Sequence, residues 1–179
     1  MMPIDYAGQL FLTVDPGLRG CGCAIFKDGV LFRAAYVFNS DKEGRGPTSH
    51  SHMATEVHRW VGRQLPPLPD MERLHVFVEF PRVYPHSDQQ KGDLNDLLDV
   101  AGVASAVAAA FFPAQIKHFY PQEWKGTIKK AVMTERIKKS LNSGEQMKVE
   151  KAGSKDHNTY DAAGIGLHVL GRLNRKVYS

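Results

Sequence analysis

Short continuous apolar runs alternate along this chain with longer stretches in which apolar residues recur every three to four positions. Leu10-Phe11-Leu12-Thr13-Val14 leads into Asp15-Pro16-Gly17, and His75-Val76-Phe77-Val78 leads into Glu79-Phe80-Pro81. Both runs predict short buried strands, being β-branched or aromatic and closed by Pro or Gly. After a Gly17–Gly20 turn, Gly22–Phe26 predicts a second strand. Lys27-Asp28-Gly29 carries the Asp-Gly hairpin signal, and Val30–Phe38 continues as a third strand. Three strands joined by tight turns predict an antiparallel sheet.

Asn39–Ser51 is polar and reads as a loop, before Met53, Val57, Trp60, Val61 and Leu65 recur at helical spacing up to Pro66-Pro67-Leu68-Pro69. The strand ending at Glu79 is followed by a polar loop, Pro81–Lys91, and by a helix from about Leu94 to Phe111 with Asp93 as its cap. Leu94, Leu97, Leu98, Ala101 and Val107 are the expected core face of that helix. Ala114–Phe119 predicts a further strand, Pro121–Leu141 a helical or mixed segment, Asn142–Ser154 a loop, and Asn158–Leu173 a last helix. The order βββαβαβα indicates a single α/β domain over residues 1–179, with helices packed on a mixed sheet.

Within this pattern the acids are the informative positions. Asp15 and Glu79 each end a buried run, where open α/β sheets place their ligands. Charged residues seldom sit in runs so apolar, and two neighbouring carboxylates repel unless a cation lies between them. Asp161 edges the buried stripe Tyr160, Ala163, Gly164, Leu167 and Leu170 of the last helix, with His157 and Asn158 one turn earlier. Small residues at Ala162-Ala163-Gly164 allow that helix close to the sheet and bring Asp161 towards the other two acids. Three converging carboxylates predict a site for one or two Mg²⁺ ions, of the kind that hydrolyses phosphodiesters.

Composition narrows the class. With 42% hydrophobic and 23% charged residues the chain is globular, and no run approaches the ~20 apolar residues of a membrane span. The start lacks a signal-peptide pattern, and Cys21-Gly22-Cys23 suits neither a disulfide nor a zinc knuckle. A reducing, cytoplasmic setting is expected. The net charge of +4 is uneven: Lys117–Lys155 holds ten Lys/Arg against four Glu, leaving the remainder of the chain slightly acidic. A basic segment beside an acidic metal centre fits an enzyme acting on a polyanion.

These residues together resemble the RuvC-like Holliday junction resolvases of the ribonuclease H-like superfamily. The similar features are Val14-Asp15-Pro16-Gly17 with its glycine hairpin, Val78-Glu79, Gly102-Val103, Pro121-Gln122-Glu123-Trp124-Lys125-Gly126, and Tyr160-Asp161-Ala162-Ala163-Gly164. The likeness runs from about Leu10 to Leu173, and the Trp-Lys-Gly block followed by Lys129-Lys130 is most similar to phage-type members. It implies a ribonuclease H-like five-stranded mixed sheet of order 3-2-1-4-5 flanked by helices. It also implies dependence on Mg²⁺ or Mn²⁺, two ions per site, and paired nicking of branched DNA at four-way junctions by a homodimer in a bacterial or phage-infected cell.

By this resemblance Asp15, Glu79 and Asp161 match three of four metal-binding acids. The fourth position is Asn158, where the family has Asp or His, so that His157, Asn158 or Asp156 completes the set. Lys125 and Arg136 match basic positions near the scissile phosphate, and Tyr84 is nearest to an aromatic that enters the junction centre. Trp124 is expected either in the core or stacked on DNA, and Lys117, Lys129, Lys130 and Arg82 to meet its phosphates. A second apolar set, Val100, Val103, Ala104 and Ala108, marks the long helix as the dimer contact. Other functions compatible with the residues are a nuclease for flaps, forks or RNA–DNA hybrids, or a non-cleaving DNA-binding module. A sugar-kinase-like ATPase would need a second phosphate loop and more chain.

Overall fold

The computed structural model describes Tyr6 and residues 8–41, 45–65, 71–82, 93–153 and 157–173. Five strands form one sheet: β1 (Leu10–Asp15), β2 (Gly20–Lys27), β3 (Val30–Phe38), β4 (His75–Glu79) and β5 (Gln115–Phe119), in the order β3-β2-β1-β4-β5. β1–β2 and β2–β3 pair antiparallel, whereas β1–β4 and β4–β5 pair parallel. The Asp28-Gly29 turn, with both residues at positive φ, makes the tight β2–β3 connection. This is the mixed sheet that the alternation of runs predicts.

Strand alternation divides the core in two. Leu12, Val14, Val76 and Val78 face α1 (Gly46–Gln64) and α2 (Leu94–Ala110). Phe11 and Phe77 face α6 (Asn158–Val169), with α3 (Pro121–Trp124), α4 (Lys130–Ser140) and α5 (Ser143–Lys151) on the same side. The same period puts Asp15 and Glu79 on the α6 side, two residues beyond Thr13 and Phe77.

α6 is buried continuously from Thr159 to Leu167, because the sheet lies on one side of it and α3 and α4 lie on the other. The Thr13 hydroxyl donates to the Ala162 carbonyl at 2.7 Å and ties the helix to β1. A Cβ on Gly22 would stand 2.0 Å from the Asn158 carbonyl oxygen, so β2 accepts the start of α6 only with glycine there.

Three expectations are corrected. α1 begins at Gly46, inside the expected loop, because the Asp99 carboxylate of α2 accepts from the Gly46 amide at 3.1 Å and from His50 at 3.0 Å. α5 replaces the expected loop from Asn142 to Ser154, since Asn142 and Glu145 form a reciprocal capping box. α2 does start at Leu94 with Asp93 capping it, but its buried face is Val103, Ala104 and Val107, while Leu94 and Leu98 are exposed. The packing of α1 along α2 sets that rotation. Val103 and Ala104, expected to be free for a partner, are therefore in the core.

Cys21 and Cys23 are buried free thiols on β2, and burial pushes Cys21 up to about 12, so both are inert packing residues. No helix among the described residues is long and apolar enough to cross a membrane. Tyr84, Asp156, Lys155 and the Pro66–Pro69 stop lie outside the described residues.

Candidate active site

The parallel β1–β4 register pairs Val14 with Val78, so Asp15 and Glu79 follow side by side at the carboxyl ends of adjacent central strands. Asp161, in the first turn of α6, reaches the same place from above the sheet. A cleft of about 760 Å³ opens there, lined by the three acids, by Lys125 and Lys130, and by His157 and Asn158, among others. The acids predicted from scattered positions are thus brought together.

The cleft has its own cation. Lys125 Nζ stands 3.3 Å from Glu79 Oε2 and 3.3 Å from Asp161 Oδ2. Lys125 follows α3, whose last residue, Trp124, donates its indole N–H to Glu79 Oε2 at 2.6 Å. The indole reaches Glu79 because α6 carries Gly164 beneath it, where a Cβ would lie 2.7 Å from the ring. Trp124 is 2% exposed, which decides between its two expected roles: the ring is core and not a stacking platform, and its polar edge orients an acid.

Electrostatics at the site show a shortage of positive charge. Burial, then the neighbouring Glu79 and Asp161, push the Asp15 carboxyl well above its ordinary range, against the pull of Lys125 and Lys130. Glu79 is likewise raised, by burial first, with Lys125 and the Trp124 hydrogen bond opposing. Burial works against the Lys125 charge, but Glu79, Asp161 and Asp15 outweigh it and hold its pKa above the ordinary value. Carboxylates in this state gain from a further cation.

The donor set fits a hard divalent ion. Three carboxylates and the Asn158 amide are oxygen donors of the kind Mg²⁺ and Mn²⁺ prefer, and the His157 ring on the same wall is a nitrogen donor. Among the described residues no group of three or more acidic, His or Cys side chains forms a ready cluster. The Lys125 ammonium stands between Glu79 and Asp161.

The other expected residues separate into near and far. Lys130 lines the cleft, with Lys129 exposed beside it at the start of α4. Arg136, expected near the reacting phosphate, is not among the cleft residues; it lies further along α4, where the helical phase turns Lys130 and Met133 inward instead. Lys117 lies mid-strand on β5 against the Phe119 ring, away from the carboxyl ends. Arg82, just beyond β4, lies over the Tyr120 ring and donates to Gln122 Oε1.

Sequence reasoning missed a buried carboxylate away from the cleft, Glu145. It accepts from the Leu31 amide and from both terminal nitrogens of Arg172, at 2.6–2.8 Å. The Asn142-to-Glu145 spacing was the visible signal for the helix start; its distant partners left no local trace.

A mixed five-stranded sheet in the order 3-2-1-4-5 flanked by helices is a ribonuclease H-like fold. Among solved structures, the yeast mitochondrial Holliday junction resolvase Ydc2 matches with a TM-score of 0.56 at 13% identity, over 96% of this chain and 84% of its own. Thermus thermophilus RuvC matches with a TM-score of 0.56 at 15% identity, over 89% of this chain and 92% of its own. RuvC from T. thermophilus in complex with Holliday junction substrate gives 0.51 at 18% identity, over 89% and 91%. No protein-family pattern and no curated protein matches the sequence.

Proposed function

We propose that this chain is a metal-dependent endonuclease that cuts phosphodiester bonds in branched DNA, with four-way junctions as its preferred substrate. The observation that carries this reading is the meeting of Asp15, Glu79 and Asp161 with Lys125 at one cleft, on the fold of the junction resolvases. Mg²⁺ or Mn²⁺ ions held there would supply charge neutralisation and an activated water.

The chain's own groups have distinct parts. Asp15, Glu79 and Asp161 are the ion-holding carboxylates, with Asn158 or His157 as a further donor. Trp124 fixes the Glu79 carboxylate by its N–H. Lys125, standing between Glu79 and Asp161, would present its ammonium to the phosphate and neutralise the negative charge growing on the reacting oxygens. Lys129 and Lys130 extend the positive surface from the cleft onto α4.

Two copies working together fit a substrate with twofold symmetry. The exposed Leu94 and Leu98, one turn apart on α2, are the apolar positions available for that pairing.

The test is a gel assay of the purified chain against matched four-way junction, flap, fork, RNA–DNA hybrid and plain duplex in Mg²⁺. Symmetric nicking of the junction is expected, together with its loss in Asp15→Asn. Cleavage of flaps or hybrids in preference to junctions would move the chain to another nuclease class on the same fold. Binding without cleavage by the wild type would leave only the DNA-binding module.

A further inference from the structure

Two aromatic rings stand at the same end of the sheet as the acids, one on each side of them. The order β3-β2-β1-β4-β5 places the end of β3, the start of β2 and the ends of β1, β4 and β5 along one edge. Phe38 closes β3 on one flank of that edge and is 71% exposed. Tyr120 follows β5 on the other flank and is 43% exposed. At ~4.8 Å per strand spacing, each lies on the order of 10 Å sideways from Asp15, about three nucleotide rises of a stacked strand.

Both rings are held in place rather than left loose. The Asn39 amide after Phe38 donates to the Arg19 carbonyl at 2.9 Å, and its side chain donates to Leu18 and Ser49. Tyr36 meets Phe38 edge to face, with centroids 4.9 Å apart. On the far flank the Tyr120 amide donates to Glu123 Oε2 at 2.6 Å, and the Arg82 guanidinium lies 5.7 Å over the ring. Tyr120 also has a cation over its ring, Arg82, and the exposed residue Arg19 is tied through its backbone carbonyl to Asn39, next in the chain after Phe38.

We propose that Phe38 and Tyr120 are stacking platforms that each receive one unpaired base, on opposite sides of the phosphate held at the acids. This rests on the nuclease reading and names its substrate class: a strand that is unstacked on both sides of the cut, as at a branch point, rather than a continuous duplex. A rigidly presented ring with an adjacent cation is the recognition element for a nucleobase next to its own phosphate. A protein partner would meet the same rings, but the flanked cleft and its lysines favour nucleic acid.

The experiment is a binding titration without divalent ions, so that it does not depend on cleavage. A four-way junction carries 2-aminopurine at single positions up to three nucleotides either side of the branch. Wild-type protein is expected to change the fluorescence at one position on each side. Phe38→Leu removes the change on one side only and Tyr120→Leu on the other, each weakening binding about fivefold or more, the loss of one base–ring stack. Phe38→Tyr and Tyr120→Trp keep both signals, and circular dichroism of the Leu variants matches the wild type.

Leu variants that bind within twofold of wild type with both signals intact overturn the proposal, as does a wild type that gives no fluorescence change. A Phe38→Leu variant that alters the sedimenting species and not the fluorescence also overturns it, making Phe38 a protein contact. Fluorescence changes in a wild type that cuts nothing in Mg²⁺ support the stacking and overturn the nuclease reading instead.

Discussion

Trp124 donates its indole N–H to Glu79 Oε2 at 2.6 Å, and the next residue, Lys125, brings its ammonium to the same oxygen. One short helix thus fixes both the direction and the charge environment of a candidate ion-holding acid. Trp124→Phe keeps most of the packing and removes the N–H donor. A hydrogen bond to a charged group contributes about 1.5–3 kcal/mol, so cleavage falls about tenfold or more while the fold persists. Trp124→Ala instead empties a core position and costs about 3–5 kcal/mol in denaturant titration. Equal cleavage by wild type and Trp124→Phe would show that Glu79 needs no such positioning.

The three acids separate chemistry from binding. Asp15→Asn, Glu79→Gln and Asp161→Asn are each expected to bring junction cleavage below detection, with junction affinity unchanged or raised, because these carboxylates repel phosphate. Removing the buried charge of Asp15 also relieves repulsion, so the metal-free Asp15→Asn protein melts above the metal-free wild type. Mg²⁺ is expected to raise the melting temperature of the wild type and to do so less for the variant. A wild type whose melting is indifferent to Mg²⁺ and Mn²⁺ would count against an ion site at this cleft.

Position in the fold ranks the cations. Lys125→Ala and Lys130→Ala remove charges that line the cleft and cut the cleavage rate more than affinity. Lys117→Ala, mid-strand on β5, leaves the rate near wild type. The log–log dependence of affinity on salt is steep, and its slope becomes shallower by about 0.9 for each phosphate that a variant no longer neutralises. Single-turnover rates across a salt series check all three variants; an unaltered rate in Lys130→Ala would place that side chain out of the reaction.

The α2 helix carries the test of pairing. Val103 is fully buried against this chain's own core, so Val103→Asp unfolds the protein and says nothing about a partner. Leu98, 66% exposed, is the informative position. Leu98→Arg is expected to give a folded monomer that nicks one strand without the paired second nick. Sedimentation with and without junction reads this directly, and a monomeric wild type bound to junction would remove the dimer.

Glu145 makes the fold sensitive to acid. Burial alone would raise its carboxyl, but Arg172 and the amides of Leu31 and Asn142 outweigh it and hold the pKa below the ordinary value. A carboxylate with a depressed folded-state pKa stabilises fully above its unfolded value of about 4.3, and that contribution is lost as pH falls through the lower, folded value. Glu145→Gln is expected to cost about 3 kcal/mol at neutral pH, since it leaves Arg172 without its charge partner, and to flatten the acid limb of the stability curve. Urea titrations from pH 3 to 7 measure both effects; parallel curves for the two proteins would put the acid sensitivity elsewhere.

The strands and the last helix were legible because their signals are local: apolar runs, Asp28-Gly29, and the small residues of α6. Asp15 and Glu79 could be placed together from the sequence because each ends a buried apolar run. What escaped was set by interactions distant in the chain. The start of α1 depends on Asp99, fifty-three positions after Gly46. The burial of Trp124 depends on Gly164, and the face of α2 on how α1 lies against it. Arg136 was carried over by resemblance, whereas the phase of α4 turns Lys130 inward. The Asn142–Glu145 capping box was visible in the sequence and lay unread inside a segment that looked like a loop.

The Glu145 hydrogen bonds have one more consequence, for solubility. β3 is an edge strand, and Leu31 near its start directs its amide to Glu145 Oε1 and its carbonyl to Lys148 Nζ at 2.7 Å. Both backbone groups that another chain would need for strand addition are therefore already engaged by side chains of α5. A sheet edge closed in this way, next to the register shift that leaves Phe32 between the Ile25–Arg33 and Phe26–Leu31 pairs, resists edge-to-edge aggregation. Loss of α5 would expose a β template as well as destabilise the chain, so variants at Glu145 and Lys148 belong among those that precipitate before they unfold.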